Sequence, residues 1–209
     1  SSDLVQAIGK IPVSAYLTDR VDFATFSGHK FHAVRGVGFV YKKAGKKITP
    51  LLTGGGQEKD FRSTTENVAG IASMAKALRL VTDKEAFSLP KIVKMKKIIF
   101  DELAKYEDIT IFSGEGEDFA PNILTFGIKG VRGEVIVHAF EEHQIYISTT
   151  SACSSKAGKP AGTLISMGVP TKLAQTAVRI SLDDDNDMGQ VEQFLTIFKQ
   201  VYAKTQKVR

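Results

Sequence analysis

The stretch VDFATFSGHKFHAVRGVGFVY, residues 21–41, decides the reading of the first half of the chain. Val21–Phe26 is a short run of β-branched and aromatic residues, and Val37–Tyr41 is another, preceded by Gly36 and containing Gly38; both read as strands. Between them, Ser27-Gly28-His29-Lys30 directly follows the first strand. A hydroxyl, an imidazole and an amine are thereby presented at a strand end, and Gly28 lets the backbone come close to a ligand. Strand ends are common ligand sites in α/β sheets, and a lysine so placed is able to form a Schiff base. The same spacing also describes an ordinary surface lysine, so local chemistry alone leaves both readings open.

Upstream, Asp3 and Gln6 lie on another short segment. Asp3 suits a helix or turn cap; buried, it would instead pair with a protonated pyridine nitrogen and sharpen its electron-sink character. Downstream, Gly54-Gly55-Gly56 is a flexible break. Arg62-Ser63-Thr64-Thr65-Glu66-Asn67 then offers amides and hydroxyls before a helix start, which suits an anion; a capping role for Thr64 or Thr65 is the plainer reading. Asn67 to about Val81 reads as a helix whose small residues, Ala69, Gly70, Ala72 and Ser73, allow close packing. A boundary is expected near Thr82–Pro90.

Beyond it, Ile92, Met95, Ile99 and Leu103 fall at helical spacing, and Pro90 suits the first turn of that helix. Residues 109–112, 122–126, 144–148 and 178–182 read as strands, with a helix near 134–143. Val191, Phe194, Leu195, Phe198, Val201 and Tyr202 form the apolar stripe of a last helix. Asp183, Asp184, Asp185 and Asp187 precede it, where acids favour the positive helix end; their spacing does not match a calcium-binding EF-hand loop. Arg179 sits inside the short apolar strand, and its planar fork suits either a substrate carboxylate or a structural ion pair. Cys153 lies among small polar residues, Ser148–Ser155. A lone cysteine is often a small buried hydrophobe. An exposed thiol on a flexible loop instead suits a nucleophile that approaches a substrate and swings away.

The 209 residues fit one large domain or two small ones, and 43% apolar content supports a real core. A single cysteine excludes an internal disulfide and a multi-cysteine zinc site, and favours a reducing compartment. No apolar stretch is long enough to span a bilayer, and no secretory signal opens residues 1–20. Net charge is +5, and Lys91, Lys94, Lys96 and Lys97 read as a solvated helix face rather than a nucleic-acid patch. The pattern is a mixed α/β segment, residues 1–82, followed by a small α+β domain, residues 83–209.

Five stretches taken together, DLVQAIGKIP (3–12), FSGHKFHAVRGVGFVY (26–41), GGGQEKDFRSTTENVAGI (54–71), SACSS (151–155) and AVRISL (177–182), resemble the later part of a cysteine desulfurase of the NifS/IscS-like group. That group belongs to the class V aminotransferase superfamily. The resemblance implies the C-terminal part of a PLP-transferase large domain followed by the small domain, with pyridoxal 5'-phosphate as cofactor and no metal. Lys30 would carry the cofactor as a Schiff base, Asp3 would pair with its ring nitrogen, and Gln6 would contact its ring hydroxyl. Ser27 and His29 would bind its phosphate, and Thr65 would reach a phosphate in the partner subunit of a homodimer. Arg179 would hold the carboxylate of L-cysteine. Cys153 would take the sulfur as a persulfide, alanine would leave, and the sulfur would pass to an iron–sulfur scaffold or a tRNA-thiolation enzyme. A cytoplasmic protein with no direct nucleic-acid or membrane contact is implied.

Members of the group carry a further N-terminal half that supplies an aromatic ring over the cofactor and a phosphate loop. The chain is therefore expected to be a fragment, inactive by itself. It also departs from the pattern at His32, Ala33, Thr150 and Asp183, which bears on subgroup and sulfur acceptor. The rival readings are a selenocysteine lyase or aminotransferase of the same superfamily, against the latter of which Cys153 argues, and a non-catalytic dimerisation or interaction module.

Overall fold

Period-two alternation builds the first sheet. In the computed structural model, which describes residues 1–116, 118–149 and 162–206, Phe23–Ser27 forms strand β2. Ala24 and Phe26 are buried and Thr25 between them is exposed, as opposite faces of a strand require. β2 pairs in parallel with Ser2–Asp3 (β1) and antiparallel with Gly38–Lys42 (β3). Its inner face packs with Ile8, Phe31 and Ala77, and the rings of Phe26 and Phe39 stack with centroids 4.5 Å apart. A short helix, Val13–Tyr16 (α1), lies between β1 and β2 in the chain.

Helix α2 spans Val68–Leu103. Its cap is Asn67, whose Oδ1 accepts from the Gly70 amide at 3.0 Å, and not Thr64 or Thr65. The expected break and restart at Pro90 does not occur: Pro90 lies inside α2. Proline removes one backbone donor and crowds the carbonyl four residues back. The helix is nonetheless anchored on both sides of it, by Ala77, Leu78 and Val81 before and by Ile92, Met95 and Ile99 after. The chain divides at this point into two compact units, Ser1–Leu89 and Pro90–Arg209.

The second unit holds four strands, Ile109–Ile111 (β4), Ile123–Ile128 (β5), Ser148–Thr149 (β6) and Ala177–Ser181 (β7). They form an antiparallel sheet in the order β4-β5-β7-β6. Helices Gly133–Glu141 (α3), Gly162–Ser166 (α4), Thr171–Ala174 (α5) and Met188–Gln206 (α6) complete it. One core joins Ile92, Met95, Ile99 and Leu103 to Leu124, Phe126 and Ile128 of β5 and to Val191, Phe194, Phe198 and Val201 of α6. The acidic run enters α6 through a reciprocal cap: Asp187 Oδ1 accepts from the Gln190 amide at 2.9 Å, and Gln190 Oε1 accepts from the Asp187 amide at 3.2 Å.

Two expectations fail here. The strand expected over residues 144–148 begins only at Ser148. Gln144 takes a left-handed φ of 59° and the Ile145 amide returns to the Phe140 carbonyl at 3.1 Å, so this stretch closes α3 before it can pair. Lys96 is not solvated. It is 7% exposed, and its ammonium donates to the carbonyls of Ala120 at 2.9 Å and Gly114 at 3.4 Å. Burial holds its pKa below the ordinary lysine value, an effect that the nearby Glu115 carboxylate opposes. No helix among the described residues is long and apolar enough to cross a membrane.

Candidate active site

The parallel register Ser2↔Ala24, Asp3↔Thr25 makes β1 and β2 finish at the same end of the sheet. Asp3 leaves β1 there, and Ser27 leaves β2 into a 3-10 turn, Gly28–Phe31. Asp3 is exposed, not buried as the ring-nitrogen reading expected, and its carboxylate is held through one oxygen: Oδ1 accepts from the Val5 amide at 3.0 Å and from the Thr25 hydroxyl at 3.3 Å. Ser27 Oγ and His29 Nδ1 are hydrogen-bonded at 2.9 Å.

The turn is fixed from below. Phe31 is 1% exposed and inserts into the core. The Gly28 amide donates to the Val37 carbonyl at 2.9 Å. A Cβ at position 28 would stand 3.0 Å from that carbonyl oxygen and 3.1 Å from the Ala33 Cβ, so glycine allows β2 and the following loop to close up. His29 and Lys30 are exposed. The Lys30 ammonium makes no hydrogen bond or ion pair with a described residue. A buried residue on each side, Gly28 and Phe31, holds this outward lysine on a rigid base.

Gln6 is exposed in the turn after β1, and Thr65 is exposed in the segment before α2. The glycine run ahead of Thr65 has a local purpose. Gly54 and Gly56 take positive φ, 145° and 84°, and the Gln57 amide folds back over Gly55, where a Cβ would lie 2.7 Å from Gln57 Oε1. Glu58, Lys59 and Asp60 then follow in left-handed conformations, a run of backbone strain of the kind that persists at functional segments.

In the second unit, Arg179 sits in mid-strand on β7, opposite Thr125 of β5 and Ser148 of β6. It is half-buried. Its Nε donates to Ser181 Oγ at 3.2 Å, and it has no ion pair among the described residues. A partly buried guanidinium held only by a hydroxyl keeps its fork for an anion. Strand β6 leads toward Cys153, which lies outside the described residues. The residue that sequence reasoning missed is Thr25. Its polar position between two apolar neighbours was visible; its register against Asp3, set by parallel pairing, was not.

The family model for class-V aminotransferases matches residues 1–194. The chain belongs to the aminotransferase class-V family. A relative described as a NifS/IcsS protein homolog, from Lactobacillus delbrueckii subsp. bulgaricus, is 46% identical over 206 residues, 99% of this chain and 54% of that protein. A cysteine desulfurase of Trichormus azollae is 33% identical over 207 residues, 97% of this chain and 50% of that protein. Among solved structures, a NifS-like protein matches with a TM-score of 0.81 and 33% identity, over 96% of this chain and 51% of that one. A NifS-like protein from Rickettsia africae matches with a TM-score of 0.80 and 32% identity, over 96% and 52%. The class-V likeness therefore bears out the α/β fold and the family resemblance, and the chain spans about half the length of the curated relatives it matches.

Proposed function

We propose that this class-V chain is the lysine- and cysteine-bearing part of a pyridoxal-phosphate-dependent cysteine desulfurase. The observation that carries the reading is the shared strand end: Asp3, Ser27, His29 and Lys30 all leave the β1–β2 pair at the same end. The donor set fits the cofactor. Asp3 Oδ2 has no hydrogen bond among the described residues and suits a ring N–H. Ser27 and His29 offer a hydroxyl and an imidazole to a phosphate, and Lys30 offers an uncommitted amine. Gln6 would meet the ring hydroxyl, and Thr65 of a second copy would reach the phosphate, which makes the assembly a homodimer. When bound, pyridoxal phosphate supplies an electron sink for the carbon next to the substrate's amino group.

The chain's own residues do the rest. Arg179 holds the carboxylate of L-cysteine with its fork. Lys30 Nζ takes and returns the proton at the substrate carbon. The Cys153 thiolate attacks the substrate sulfur; an S–S bond forms as the carbon–sulfur bond breaks, its electron pair stays with the carbon, that carbon takes up a proton, and L-alanine leaves. Sulfur and electrons balance without an external oxidant. The persulfide on Cys153 then passes to an acceptor, an iron–sulfur scaffold or a tRNA-thiolation enzyme, in the reducing cytoplasm.

The test uses the protein as its own reading frame encodes it. Borohydride reduction with pyridoxal phosphate should fix the cofactor to the Lys30 peptide, and Lys30→Ala should abolish both the adduct and the visible Schiff-base band. Cys153→Ser should keep the adduct and lose sulfide release from L-cysteine. Full sulfide release by Cys153→Ser would sink the desulfurase reading, and an adduct elsewhere than Lys30 would sink the site.

A further inference from the structure

Asp3 Oδ1 is bonded twice and Oδ2 not at all among the described residues. The two donors come from different places. The Val5 amide lies two residues on in the same segment, so this bond forms wherever the turn forms. The Thr25 hydroxyl comes from the neighbouring strand and exists only because the parallel register sets Thr25 opposite Asp3. An aspartate carboxylate rotates broadly about its last torsion. One donor leaves that rotation loose, and a second donor on the same oxygen restricts it.

We propose that Thr25 is a positioning residue of this site, fixing the Asp3 carboxylate so that Oδ2 is the oxygen presented to the cofactor's ring nitrogen. The inference rests on the cofactor reading above and deepens it. Thr25 has no part in the core, which Ala24 and Phe26 supply from the other face of β2. A purely structural role would rest on its β-branched shape, which valine reproduces. The hydroxyl is the part that distinguishes the two accounts.

The experiment titrates pyridoxal phosphate into the protein encoded by the whole reading frame and follows the Schiff-base absorbance and the yield of the reduced Lys30 adduct. Thr25→Val should weaken cofactor binding about tenfold, the scale of one hydrogen bond to a charged group, while the thermal midpoint of the cofactor-free protein stays put. Thr25→Ser, which keeps the hydroxyl, should restore binding to within about threefold. In an Asp3→Ala background, Thr25→Val should change nothing further, because its effect passes through the carboxylate. If Thr25→Val does not fold, the Ser and Ala variants give the same comparison. Equal affinities for Val and wild type, a Ser variant as weak as Val, or a Val effect that persists without Asp3 would each overturn the proposal while leaving the cofactor reading intact. A wild-type protein that forms no Lys30 adduct would overturn both.

Discussion

Replacing Gly38 by alanine tests whether the site rests on close approach of β2 and β3. A Cβ at position 38 would stand 2.5 Å from the Phe26 carbonyl oxygen and 3.5 Å from the Ser27 Cα. Ordinary C···O contacts lie near about 3.3 Å, so the strands must part by roughly 0.8 Å at this point. The obstacle is backbone, which cannot swing aside as a side chain does. The parting falls on the register pair Ser27↔Gly38, beside the stacked Phe26–Phe39 rings and next to the Gly28-to-Val37 bond of 2.9 Å.

Overpacking of this kind costs about 1–3 kcal/mol, and a weakened backbone bond adds about 0.5–1.5 kcal/mol. Loss of glycine's freedom in the unfolded chain returns about 0.4–1 kcal/mol. The balance is a destabilisation of about 2 kcal/mol. Urea unfolding measures it. Gly162→Ala serves as the control, since nothing among the described residues lies within 4 Å of its would-be Cβ, and it should change stability by less than about 1 kcal/mol. The same Gly38→Ala protein should form the Lys30 adduct poorly, because the turn that carries Lys30 hangs from the displaced backbone. A Gly38→Ala protein as stable as wild type would refute the claim that the β2–β3 contact is closed to a methyl group.

Phe198→Ala should cost about 3–5 kcal/mol in urea unfolding. Its ring is fully buried and meets Tyr106 at 5.2 Å, Phe126 and Phe194 at 6.3 Å and Tyr202 at 5.9 Å; a loss under about 1 kcal/mol would mean that the surrounding rings collapse into the void. Lys96 gives a pH signature. Its folded pKa is lowered by burial, so between that value and 10.5 the unfolded chain binds the extra proton and stability rises with pH. Wild type should therefore gain on Lys96→Met as pH climbs toward 10.5, and a difference that is flat with pH, measured by urea midpoints, would show that the ammonium is not desolvated.

Much of the fold is legible because it rests on period. The alternation in Phe23–Ser27 and the stripe Val191, Phe194, Phe198, Val201 put the same residues inside that simple spacing puts inside. The failures come where two local signals compete. Pro90 reads as a helix start because proline favours that position, yet the anchored faces on both sides carry α2 through it. Ile145 and Ile147 alternate as a strand would, but Gln144 in a left-handed turn spends the backbone on closing α3. Lys96 belongs to a lysine-rich surface run by composition, and only the fold of the β4–β5 loop places two carbonyls over it.

The site divides along the same line. Ser27, Gly28, His29 and Lys30 are contiguous, so their joint presentation at a strand end is written into one short segment. Asp3 and Thr25 are separated by 22 positions. What joins them is a parallel pairing of two strands that no turn connects directly, and parallel pairing has no short sequence signature. A residue read in isolation as a cap or a strand filler thus becomes, once the register is known, one half of a carboxylate held through a single oxygen. The hydrogen bond to Oδ1 gives Asp3 a direction, and direction is what separates a carboxylate that merely sits near a ligand from one that orients it.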